Sequence, residues 1–157
     1  MKLLFIHSDR IWYKVTKKTQ VAEKITQGME EGKMTDCLAV FLCVEWVDEL
    51  KVNDSITMAK EDIVKTMRSV KANRIMLFPF AHLSRSLSKP EIASDIFKAI
   101  EKMLRDEGFE VMRVPFGWNK KFEVRSKGHP MAVLSRTICP VMDECKCVCP
   151  YCSMPLE

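Results

Sequence analysis

Residues 76–84 read Met76-Leu77-Phe78-Pro79-Phe80-Ala81-His82-Leu83-Ser84. The stretch opens as a continuous apolar run, the pattern of a strand covered on both faces, and the run stops at Pro79, which has no N–H to give a central ladder. The chain therefore leaves the sheet there and places His82 at the mouth of an oily element. In α/β proteins the rims of buried strands are where sites collect.

Outward from this strand the same grammar repeats. Leu38 to Val44 is a second fully apolar run and hence a central strand, followed by Glu45-Trp46. A carboxylate in that position more often caps or pairs at the rim than reacts. Leu3 to Ile6 predicts a buried first strand, Ser8-Asp9 a turn, and Arg10 to Val15 a return to extended structure. His7-Ser8-Asp9 holds the residue types of a hydrolytic triad. Three successive residues cannot converge their side chains, so no triad is read there. The polar stretch 16–35 reads as a long loop or a short helix.

After Asn53-Asp54-Ser55, good capping residues, Ile56, Ala59, Ile63, Met67 and Val70 recur at helical spacing. Ser88-Lys89-Pro90-Glu91 has the form of a capping box with Pro90 in the first turn; Ile92, Ile96, Ile100, Met103 and Leu104 then form a stripe that Gly108 ends. Phe109 to Val114 reads as the last strand of this series. The expected class is α/β, a mixed β-sheet packed with helices. Beyond it, Lys120 to Arg125 alternates. If extended, it puts Lys120, Phe122 and Val124 on one face and Lys121, Glu123 and Arg125 on the other. A lysine on an apolar face either snorkels to water or serves a site. His129, next to Pro130, reads as a turn residue.

The chain has 157 residues, 47% of them hydrophobic and 29% charged, enough for one core and too few for two comfortable domains. A net charge of +4 makes any RNA contact local rather than a charged coat. No run is long enough to span a membrane, and the apolar start breaks at His7 without a cleavage pattern, so a cytoplasmic protein is expected. Of seven cysteines, Cys37 and Cys43 read as small hydrophobes, and five crowd between Cys139 and Cys152. Their C-x-C-x-C-x-x-C spacing over Cys145, Cys147, Cys149 and Cys152 leaves three readings open: zinc binding, a redox Cys149-Pro150-Tyr151-Cys152 motif, or a reduced linker.

Several separated blocks carry a resemblance. FPFAHLS at 78–84, Leu87, Lys89, Pro90, PFGW at 115–118, Lys120, KGHP at 127–130 and LSRT at 134–137, with LFIHSD at 4–9, resemble the N-terminal editing domain of archaeal-type threonyl-tRNA synthetase. The resemblance implies a D-aminoacyl-tRNA deacylase-like fold over residues 1–138, followed by a Cys-rich tail or linker at 139–157. It implies a homodimer and hydrolysis of seryl-tRNA made in error on threonine tRNA, with removal of D-amino acids as a second activity. The partners it implies are the 3' end of that tRNA carrying serine and the remainder of a synthetase, of which this chain is a fragment or a free-standing counterpart. No metal or other cofactor is expected at the site, zinc on the tail cysteines being the only candidate.

Such a domain answers a limit of recognition. Serine lacks only the methyl of threonine, and one methyl is worth about 1–3 kcal/mol in a pocket, too little for the aminoacylating site alone. By resemblance, Lys120 and His82 are the catalytic residues, Val44, Pro79, Phe80 and Ala81 hold the aminoacyl group, and Phe116 and Gly117 face the adenosine. The tRNA 2'-hydroxyl helps activate water. In the family the residue before the lysine is commonly aromatic and a glutamate stands before LSR; here those places hold Asn119 and Val133. A mechanism needing that glutamate as base is not open to this chain. The competing class is a non-catalytic RNA-binding or zinc-binding module.

Overall fold

The computed structural model describes residues 1–142. Six strands, β1 (Lys2–Lys18), β2 (Glu31–Cys43), β3 (Arg74–Pro79), β4 (Glu110–Arg113), β5 (Trp118–Ser126) and β6 (Val133–Thr137), are joined by two helices, α1 (Val52–Val70) and α2 (Pro90–Asp106). The sheet order is β4-β3-β2-β1-β5, and β6 also pairs with β1. β2, β3 and β4 are parallel neighbours, each crossover carrying a helix, whereas β1 is antiparallel to β2, β5 and β6. The expected class, a mixed sheet packed with helices, is the one adopted.

Both helices lie on one face. Ile56, Ala59, Ile63 and Met67 of α1 and Ile96, Phe97, Ile100 and Leu104 of α2 pack on Leu3, Phe5, Val40, Ile75 and Leu77. The opposite face of the central strands is buried too, under a second cluster of Ile11, Tyr13, Met34, Phe41, Met76 and Phe78. The unbroken apolar runs of β2 and β3 follow from this double burial.

One irregularity makes the second cluster possible. Ser8 pairs with Cys37 and Arg10 with Thr35, while Asp9 and Asp36 between them fall out of the ladder, Asp36 with a φ of 48°. Before that point Leu3 and Phe5 face the helices; beyond it Ile11 and Tyr13 face away from them. Against β5 the same point of β1 is a shift of register, and a bulge of that kind bends and twists a strand pair. The sheet curls until Phe122 on β5 reaches Phe41 and Phe78, with ring centroids 5.6 and 5.3 Å away, although β1 lies between them in the ladder.

Several expectations need correction. Ser8-Asp9 is not a turn but the irregular point of one 17-residue strand. Of the polar stretch 16–35, residues 19–30 form the long loop expected, while 16–18 and 31–35 belong to β1 and β2. Of its ladder residues only Met34 is fully buried, so no apolar run marks them. Neither helix uses the expected cap. α1 starts at Val52, and the Ser55 hydroxyl donates 2.8 Å to Asp48 instead. α2 follows Lys89, whose N–H and the Ser88 hydroxyl both donate to Glu49, so the carboxylate comes from another segment. β4 is not the last strand, since β5 and β6 follow. Gly108, with φ of 94°, ends α2 as expected.

Candidate functional site

β3 ends at Pro79, and the Phe80 N–H turns back to donate 2.9 Å to the Leu42 carbonyl. A single 3-10 turn, Ala81–Leu83, then sets His82 on the rim, its ring 5.2 Å from that of Phe80. Beneath this rim lies a cleft of about 520 Å³ between the ends of β2 and β3, the start of α2 and the start of β5. Lys120, His82, Val44, Pro79, Phe80, Ala81, Phe116 and Gly117 all line it. The eight residues singled out from the sequence are brought together around one hollow.

Alternation on β5 holds. Val124 packs on the second core cluster and Phe122, though 40% exposed, lies against the Phe41 and Phe78 rings, while Lys121, Glu123 and Arg125 on the other face are exposed. Lys120 shares the inner face. Its Nζ sits 5.5 Å over the Phe78 ring and donates 2.8 Å to the Trp118 carbonyl. Burial pushes the Lys120 ammonium down to about 8, with Glu23 pulling weakly the other way. A lysine so placed is a short-range donor in an apolar setting.

Two clasps hold the walls. On one side Glu23, from the β1–β2 loop, accepts the Phe116 N–H at 2.6 Å and grips Arg113 at 2.5 and 3.2 Å, while the Trp118 indole donates 2.9 Å to the Glu23 carbonyl. Arg113 also binds Glu101 at 2.8 Å. Thr19 donates to the Gly117 carbonyl. Gly117 has φ of 73°, and a Cβ there would stand 2.4 Å from the Val21 carbonyl oxygen. Gly117→Ala is therefore expected to cost about 1–3 kcal/mol, read as a lowered urea midpoint, because loop backbone must move and the left-handed φ is strained.

On the other side Ser84 donates 2.5 Å to Glu45, Trp46 donates to Ser86, and Ser88 to Val44, stitching the His82 loop to the end of β2. Glu45 and Asp48 form a reciprocal capping box, and the Met1 ammonium lies 3.1 and 3.0 Å from their carboxylates. Glu45 is thus the pairing residue its position suggested. His129 lies outside the cleft and contacts His7, Nε2 to Nδ1 at 2.7 Å, which pins the β5–β6 loop to β1. Burial, then Lys127, then His129 hold the His7 imidazolium below its ordinary range.

Glu23 went unnoticed in the sequence. It stands in a polar loop among other charges, and only the fold shows that it reaches Arg113 and Phe116. Asn119 lines the cleft, but Val133 is 53% exposed on β6 and does not. Cys37 and Cys43 are buried thiols, pushed up to about 12 and about 11 mainly by burial. No group of three or more metal-ligating side chains exists among the described residues, and Cys145, Cys147, Cys149 and Cys152 lie outside them. Among the described residues no helix is long and apolar enough to cross a membrane.

A family model described as the archaea-specific editing domain of threonyl-tRNA synthetase matches residues 1–138. The chain is 48% identical over 140 residues to a threonine-tRNA ligase of Methanosarcina acetivorans, covering 89% of this chain and 22% of that protein. It is 46% identical over 138 residues to that of Methanobrevibacter smithii, covering 88% and 23%. It is 43% identical over 141 residues to that of Thermococcus kodakarensis, covering 89% and 22%. The chain thus spans less than a quarter of the length of these relatives. Among solved structures, the c-Myc DNA Unwinding Element Binding Protein superposes with a TM-score of 0.57 at 14% identity, over 88% of this chain and 99% of that one, a likeness of fold alone.

Proposed function

This chain belongs to the family of archaea-specific editing domains of threonyl-tRNA synthetase, and from that premise we propose that its cleft hydrolyses the ester joining wrongly attached serine to the 3' end of threonine tRNA. The observation that carries this reading is the half-buried Lys120 sharing an otherwise mostly apolar cleft with His82. The reaction adds water to the ester carbonyl, passes through a tetrahedral oxyanion and expels the ribose oxygen, which takes up a proton. It needs an oriented water and a donor near the developing charge.

In this reading the Lys120 ammonium orients the ribose 2'-hydroxyl, which in turn positions the water. His82 on the rim holds the substrate or that water. Val44, Pro79, Phe80 and Ala81 surround the aminoacyl group, and Phe116 with Gly117 faces the adenosine. A wall that leaves no room for one extra methyl rejects threonine, since overpacking a tight site costs about 1–3 kcal/mol. D-amino acids on the same tRNA are a second substrate class. The domain works as a dimer beside the aminoacylating part of a synthetase, whose errors supply its substrate.

Incubation with seryl-tRNA and threonyl-tRNA tests this directly: rapid loss of serine with retention of threonine is the expected result. Retention of both esters with tight retention of tRNA would make the chain a binding module instead. Val133→Glu, which restores the family's carboxylate, is expected to leave the serine rate unchanged. A rise of several orders of magnitude would show that hydrolysis needs that carboxylate and not the 2'-hydroxyl.

A further inference from the structure

The outer face of the β1–β5 ribbon carries a charge pattern that the fold does not need. Across this antiparallel pair Arg10 stands opposite Arg125 and Lys14 opposite Lys121, with Trp12 between them. Trp12 faces Lys33 on β2. Like charges directly opposite one another on a sheet are destabilising. Here the arrangement occurs twice on one face, four residues apart along β1, or about 13 Å at strand rise. Local acids answer part of it: Glu123 lies 3.2 Å from Arg10, Glu31 3.2 Å from Lys14, and Asp9 3.6 Å from Arg125. Lys33 and Lys121 have no ion pair among the described residues. Glu31 also accepts the Trp12 indole N–H at 2.7 Å. Arg10, Trp12, Lys33 and Glu123 line a shallow depression of about 280 Å³.

Resting on the editing reading of the cleft, we propose that this face, centred on Trp12 with Arg10, Lys14, Lys33, Lys121 and Arg125, docks the phosphodiester backbone of the tRNA whose aminoacylated end enters the cleft. Three features favour RNA over a protein partner. The cations are exposed and stand on three neighbouring extended strands, a flat basic patch that suits a polyanion. One aromatic ring among them offers a platform for a sugar or an unstacked base. The face also adjoins the cleft through β5 itself, since Lys120 points into the cleft and Lys121 to this surface. Phosphate contacts fix the register of a nucleic acid without reading its sequence, which is what a site acting on the 3' end requires of the rest of the molecule.

The test uses this chain with Lys14→Gln, Lys33→Gln and Lys121→Gln combined, none of which lines the cleft. The probes are seryl-tRNA, uncharged tRNA in filter retention, and 3'-O-seryl-adenosine as a short ester lacking the stem. For seryl-tRNA the variant is expected to show KM raised about tenfold or more, with kcat unchanged. Its affinity for uncharged tRNA should fall less steeply with salt, the log–log slope flattening by about 2 to 3. Hydrolysis of the short ester should equal that of the parent chain, and melting should occur at the parent temperature or above it.

A well-folded variant with the parent's tRNA KM and salt slope overturns the docking surface and leaves the cleft reading standing. Unchanged tRNA affinity with lost binding to a polypeptide of the synthetase overturns it in favour of a protein partner. If the parent chain hydrolyses neither ester, the cleft reading falls, and filter retention of uncharged tRNA decides the surface by itself.

Discussion

Lys120→Met is expected to lower kcat for serine release by about a hundredfold to a thousandfold, with little change in KM. Methionine fills nearly the same volume on the inner face of β5, so the cleft keeps its shape and loses only the charged donor that orients the 2'-hydroxyl, and misplacing the group that positions the water costs about that much. The control is Lys121→Met on the outward face, which should leave kcat alone. A Lys120→Met enzyme as fast as the parent would remove lysine from the mechanism. The pH profile separates two roles. If the ammonium is the working form, the enzyme-dependent rate, corrected for spontaneous ester hydrolysis, should fall as pH rises through about 8. If the neutral amine acted as a base, the rate would rise there.

The same burial has a sign in stability. The folded lysine titrates near 8 and the unfolded one near its ordinary 10.5, so between those values the unfolded chain binds more protons, and stability increases with pH across that window. Below about 8 both forms are charged and the full cost of burying the ammonium remains. Lys120→Met removes that cost, so the inactive variant should melt no lower than the parent.

Asp48→Ala should give the largest loss of stability, about 3–5 kcal/mol, which in a chain of this size lowers Tm by roughly 10 °C. Asp48 is fully buried and accepts from three groups: the Met1 ammonium at 3.0 and 3.2 Å, the Glu45 N–H at 2.8 Å and the Ser55 hydroxyl at 2.8 Å. Removing the carboxylate strands a buried donor on each and leaves Glu45 as the sole acid beside the ammonium. Asp48→Asn, which keeps acceptors, should cost less. A drop below about 1 kcal/mol for the alanine variant, read by urea unfolding, would mean that water replaces the carboxylate without penalty. The Glu45 to Ser84 contact places the His82 loop downstream of this network, so lost activity in Asp48→Ala should follow the folded fraction.

The mixed sheet packed with helices was legible because its central strands are buried on both faces and its helices carry full apolar stripes. The alternation in β5 assigned Lys120 and Lys121 to opposite faces correctly, since period two survives even on an edge strand. Illegible were the features set by contacts between distant segments. Asp9 and Asp36 look like turn residues until their strands are paired. Ser55 and Ser88 look like caps until Asp48 and Glu49 arrive from the neighbouring turn. Glu23 has no local pattern at all, because its partners Arg113 and Phe116 are some ninety residues away. The residues lining the cleft were read from separated motifs in the right order, while the clasp that shapes its wall left no trace in any of them.

The irregular points of the β1–β5 ladder, between Ser8 and Arg10 and again between Val15 and Lys17, have a bearing on chemistry as well as on shape. They set the count by which β5 is threaded against its neighbour, and in a structure of period two the count decides which of two adjacent lysines faces the cleft. A slip of a single position would exchange Lys120 for Lys121 and turn Phe122 and Val124 out to water. The proposed chemistry depends on a ruler, set by one kink beside Lys120 itself and another at the far end of the paired stretch.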